Sequence, residues 1–109
     1  MAANSLEEID SGVLELVKTM LAENSVDQSE LISIIFTVTV DLNAQFPAVA
    51  ARELGLGNVP LLCSVEIDVP NALPRVIRVL MHINSDKGLD QIKHIYLHGA
   101  TALRRDIAQ

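Results

Sequence analysis

Basic excess is the first thing this chain lacks. Eight Lys and Arg stand against fourteen Asp and Glu, for a formal net charge of −6. A nucleic-acid or anionic-membrane surface needs a basic patch, so that class of partner is not expected. Aromatics are scarce as well: no Trp, one Tyr and two Phe. With half the residues hydrophobic, the core must be aliphatic. A single cysteine, Cys63, cannot close an internal disulfide, which fits a reducing, cytoplasmic setting. No apolar run reaches the roughly 18 residues of a membrane span. The opening MAANSLEEID has neither a positive n-region nor an apolar h-region, so no signal peptide is expected. His82, His94 and His98 lie apart, and a His94/His98 pair on a strand would be about 13 Å apart, so no metal spacing is present. Glycine-rich phosphate loops and nucleophile elbows are missing too.

What is present is one domain's worth of chain, 109 residues, with clear local signals. Ser5-Leu6-Glu7-Glu8 fits a capping box. Leu6, Ile9, Val13, Leu16, Val17, Met20 and Leu21 then form a helical stripe, with Asn24 as a left-handed stop. Ser25 to Glu30 is a polar connection with room for a turn of helix. Leu31 to Val40, LISIIFTVTV, is β-branched almost throughout and reads as a central strand covered on both faces. Pro47 suits a first helical position, and the short helix it opens runs to a C′ glycine, Gly55.

Val59 to Asn84 is the most informative stretch: two strands around a Pro- and Asn-containing corner. Arg78 alternates with Ile77, Val79 and Met81, so it can leave the core that its neighbours build. Cys63 and Glu66 are three apart and fall on opposite faces of a straight strand. To serve one site, the chain must bend between them, or Glu66 must sit past the strand end. Gln91 to His98 reads as a last strand and ATALRRDIAQ as a short helix or turn. The order predicts an α+β fold, with helices on one side of a mixed or mostly antiparallel four-stranded sheet. Such a sheet leaves apolar area uncovered, and oligomerisation is the expected remedy. Taken singly, Cys63 reads as a small buried hydrophobe, Tyr96 as core or interface, and Arg104-Arg105 as a solvated pair. Together they suit no more than a small anionic ligand held without a cofactor.

The pieces FTVTVDLNAQFPAVAAREL, VPLLCSVEIDV, LPRVIRVLMHINSD and IKHIYLHGATALRRDI, in this order, resemble the AroH-class chorismate mutases. The resemblance implies a chorismate mutase-like pseudo-α/β barrel, a homotrimer with active sites between subunits. It implies conversion of chorismate to prephenate in phenylalanine and tyrosine biosynthesis, with no cofactor and no metal. By position, Arg78 matches the arginine at the ether oxygen. Glu66 and Cys63 match the acid and thiol at the ring hydroxyl and ring side, and Tyr96 matches the tyrosine at a carboxylate or the enolpyruvyl end. Phe46, Ala48, Leu62 and Leu103 match apolar wall positions, and Arg52 and Arg104 match arginines near the cleft mouth. Relatives usually begin with a strand R-x-I/V-R-G-A-T-T that carries a further substrate arginine. MAANSLEEID stands after that strand, so a shortened single domain, 1–109, is expected. Val49 stands where some relatives have lysine. A weakly active or non-catalytic trimer that binds prephenate or chorismate is the alternative this departure raises. The trimeric imine-deaminase-like proteins are a weaker one.

Overall fold

The computed structural model describes residues 3–102. Helix α1 (Leu6–Glu23) starts where Ser5 Oγ accepts the Glu8 N–H at 3.2 Å. Its stripe buries Ile9, Val13 and Val17 completely. Asn24 ends it, but not in the left-handed conformation expected: its φ is −102° and the positive φ of 51° falls on Ser25. Asn24 is instead occupied by its side chain, as shown below. A 3₁₀ turn at Gln28–Glu30, capped by Asp27, leads into the sheet.

Strand β1 (Leu31–Val38) is central as expected, but in this chain only one of its two apolar faces is covered, where Ile34 and Phe36 are fully buried. Burying a side chain of this size contributes about 1.5–3 kcal/mol. Helix α2 (Pro47–Glu53) ends at Leu54, after which Gly55 takes φ +91°, a backbone region open to glycine. The chain then returns as β2 (Leu61–Val65), parallel to β1, while β3 (Ile77–Ile83) pairs antiparallel on the other side. The sheet order is β2-β1-β3. Both helices cover one face: Ile34, Phe36, Leu56 and Ala50 join Ile9, Val13 and Val17 in a single core. The other face carries the row Leu62–Ile35–Leu80, with Leu62 and Leu80 more than half exposed.

Two sequence expectations need correction. β1 stops at Val38, not Val40, because Thr39 and Asp41 turn the chain, the Thr39 hydroxyl donating to Asp41 Oδ1 at 2.5 Å. The four-stranded sheet has three strands among the described residues, because Gln91 to His98 is not a strand. Gln91 closes a 3₁₀ turn (Leu89–Gln91), and His98 opens another (His98–Ala102). Alternation makes a strand only when a neighbour offers a free edge at about 4.8 Å. This segment is held against the end of α1 instead. Asn24 Nδ2 donates to the Lys93 carbonyl at 3.0 Å, and the Lys93 N–H donates to Asn24 Oδ1 at 2.7 Å.

Candidate active site

The polar centre of the exposed sheet face is one register row. Ser64 on β2, Thr37 on β1 and Arg78 on β3 lie side by side. The Leu62–Ile35–Leu80 row lies two residues along and forms an apolar floor beside it. Glu66 follows β2, and its N–H still donates to the Val38 carbonyl at 2.8 Å, so the ladder runs on past the strand end. Its carboxylate turns over the exposed face. Oε2 accepts the Thr37 hydroxyl, and Oε1 lies 3.8 Å from the Arg78 guanidinium. At that separation there is attraction but no hydrogen bond. The Arg78 side chain is 54% exposed and that of Glu66 24%, so the pair contributes less than about 1 kcal/mol to stability.

Two supports place Arg78. One is the β1 ladder, in which Thr37 is its register partner. The other is the entry to β3. The Arg75 N–H donates to both Asp41 carboxylate oxygens, at 3.1 and 3.0 Å, with Arg75 itself at φ 50°. The Val76 N–H donates to Thr39 Oγ1 at 3.0 Å. The Thr39 hydroxyl holds the Asp41 carboxyl below its usual range against the smaller, opposing effect of desolvation, with a lesser contribution from the Arg75 amide. A cavity of about 870 Å³ opens beside this row, lined by Thr37, Glu66, Arg78, Leu80 and Tyr96 among others. Tyr96 reaches it from the segment that Asn24 pins at Lys93. Asn24 is 7% exposed, and its amide also donates to the Met20 carbonyl at 2.9 Å.

Of the residues singled out in the sequence, the structure thus joins Arg78, Glu66 and Tyr96. Cys63 does not join them. It lies in register with Phe36 on the helix-covered face, half-buried against the core, because the three-residue spacing to Glu66 reverses the face. Ala48 needs correction too: at 3% exposure it is core, not a wall open to a ligand. Phe46 is 70% exposed at the start of α2, Arg52 is exposed on the last turn of that helix, and Leu62 is 60% exposed on β2. None of the three lines the cavity: Phe46 and Arg52 lie at α2, and Leu62 is the β2 end of the apolar row beside it. Leu103 and Arg104 lie outside the described residues. The roles of Thr37, Asp41 and Asn24 at the site were not expected from the sequence, in which Asn24 figured only as a helix stop. Their partners are 29, 34 and 69 residues away, and only the Thr39-x-Asp41 turn left a local trace. Among the described residues no group of three or more His, Cys, Asp or Glu is placed to hold a metal ion, and no helix is long and apolar enough to cross a membrane.

The fold and site define an α+β protein with an arginine–carboxylate pair facing an open cavity. Its relatives make the class specific. The family model for chorismate mutase type I matches residues 1–107. The chorismate mutase AroH of Thermus thermophilus is 47% identical over 102 residues, covering 93% of this chain and 84% of that protein. The chorismate mutase AroH of Bacillus subtilis is 38% identical over 103 residues, covering 94% and 81%. A solved chorismate mutase from Clostridium thermocellum superposes with a TM-score of 0.91 at 48% identity, covering 93% of this chain and 90% of that one. The chain belongs to the type I chorismate mutase family.

Proposed function

We propose that this protein is a chorismate mutase, an isomerase that converts chorismate to prephenate by a pericyclic rearrangement on the route to phenylalanine and tyrosine. The observation that carries the reading, beyond family membership, is the convergence of Arg78, Glu66 and Tyr96 on one cavity. The reaction breaks one C–O bond and forms one C–C bond within a single molecule. It asks for no nucleophile and no net proton transfer. It asks for a dicarboxylate held in a compact conformer, which is an orientation problem. It also asks for a donor at the ether oxygen, which gains negative charge as its bond to carbon lengthens.

Arg78 is that donor. Its guanidinium is half exposed to the cavity and is not consumed by Glu66 at 3.8 Å. Glu66 accepts the substrate's ring hydroxyl, and Tyr96 meets a carboxylate or the enolpyruvyl end. Phe46, Leu62 and Arg52, with Leu103 and Arg104, act at the same site from a neighbouring subunit, and Cys63 is the thiol matched to the ring side. Phe46, Arg52 and Leu62 are exposed and none of them lines the cavity of this chain, so a second subunit is what brings them to the ligand. The exposed row Leu62–Ile35–Leu80 also favours self-association, and a homotrimer with sites between subunits satisfies both. Residues 1–109 then act as one such domain, and the protein works in the cytoplasm. The test is loss of chorismate absorbance on adding the purified chain, with sedimentation at micromolar concentration alongside. No turnover would remove the enzymatic reading, and a stable active monomer would remove the trimer.

A further inference from the structure

Resting on the chorismate mutase reading, we propose that Thr37 is a positioning residue that holds the Glu66 carboxylate off Arg78. Thr37 sits on the central strand, with ladders to β2 and β3 on its two sides. Its backbone is therefore fixed, and a β-branched side chain has little χ1 freedom. Its hydroxyl is a defined point on the exposed face, one register position from both Ser64 and Arg78. Glu66 has no such support. It lies beyond β2, anchored by one backbone bond to Val38, and reaches back over the sheet.

A carboxylate beside a guanidinium ordinarily closes into a forked pair at about 2.7–2.9 Å, which uses two of the five N–H donors. Here it does not: Oε1 stays 3.8 Å from Arg78 because Oε2 is engaged by the Thr37 hydroxyl. The consequence is chemical. The Arg78 donors remain available to a ligand oxygen in the cavity, and Oε1 remains available to a ligand hydroxyl. Without the Thr37 hydroxyl, Glu66 closes on Arg78, and the two groups satisfy each other instead of the substrate. This cost falls on the transition state, where the ether oxygen needs the cation most, so it appears in kcat more than in KM.

The experiment compares Thr37→Val and Thr37→Ser in the chorismate-to-prephenate assay, each also made in a Glu66→Ala background. Val keeps the shape and suits a strand, so thermal unfolding should match the parent closely. Expected is a kcat loss of about tenfold for Thr37→Val with KM changed by less than about threefold, and kcat within about threefold for Thr37→Ser. In the Glu66→Ala background, Thr37→Val should add nothing, since the group it positions is gone. If the Val variant fails to fold, Thr37→Ala against Thr37→Ser in the same cycle reads the same coupling. Full kcat in the variant lacking the hydroxyl, a Ser variant no better than it, or additive losses with Glu66→Ala would each overturn the proposal while leaving the enzymatic reading intact. An unmutated protein that turns over no chorismate overturns both.

Discussion

Replacing Arg78 by alanine is the most informative single perturbation. The side chain lies 54% exposed on β3, beside a cavity and 3.8 Å from its only close carboxylate in the described residues. Such a pair adds less than about 1 kcal/mol to stability, so the variant should fold and keep its thermal midpoint. Its loss should instead fall on the reaction. Removing one donor from a preorganised oxyanion site costs about 2.7–4 kcal/mol, or two to three orders of magnitude in kcat. A full charge in a site closed by substrate raises the ceiling to about four orders. KM should move much less, because the ether oxygen carries little charge before the bond stretches. Arg78→Lys should recover little, since an ammonium on a flexible stem does not reproduce the guanidinium fork. A citrulline at this position keeps hydrogen-bond donors and loses the charge, so a badly impaired citrulline enzyme would assign the effect to charge. The assay is the initial rate of chorismate loss over a range of substrate concentrations. A kcat within about tenfold of the parent, or an effect confined to KM, would refute the assignment of Arg78 to the ether oxygen.

Cys63 packs half-buried on the helix side of the sheet, so Cys63→Ala or Cys63→Ser should retain a substantial part of the activity, and mass spectrometry should find no substrate adduct on the thiol. Asn24→Ala removes the hydrogen bonds that tie Lys93 to the end of α1 and should cost about 1–3 kcal/mol of stability in denaturant titration. In the same variant, amide exchange should accelerate around Lys93 to Tyr96, and KM should rise as Tyr96 loses its fixed position. Stability should also fall in acid. The Thr39 hydroxyl on Asp41 and the Ser29 amide on Asp27 hold both carboxyls below the ordinary carboxylate range. Their contribution is present above the unfolded carboxylate range and is lost as the pH falls through the depressed folded values, and Asp41→Asn should flatten part of that dependence in thermal scans.

Local pattern carried most of the elements. Ser5 and the 3.6-residue stripe specify α1, Pro47 and Gly55 bracket α2, and the two-faced apolar run of β1 makes it central, because each signal acts through the chain's own neighbours. Alternation put Arg78 outward, and spacing alone separated Cys63 from Glu66, as the structure has them. Ile92 to Leu97 shows where pattern stops. Its alternation is as good as that of β3, yet strand formation depends on a paired edge, and Asn24 from the far end of α1 takes its backbone instead. The site was legible in the identity of its charged residues and hidden in its arrangement. The Thr37 hydroxyl, set in a run of β-branched residues, reads as strand propensity. Its grip on Glu66 and the gap to Arg78 come into being only when the two strands flanking β1 bring residues 29 and 41 positions away onto one face.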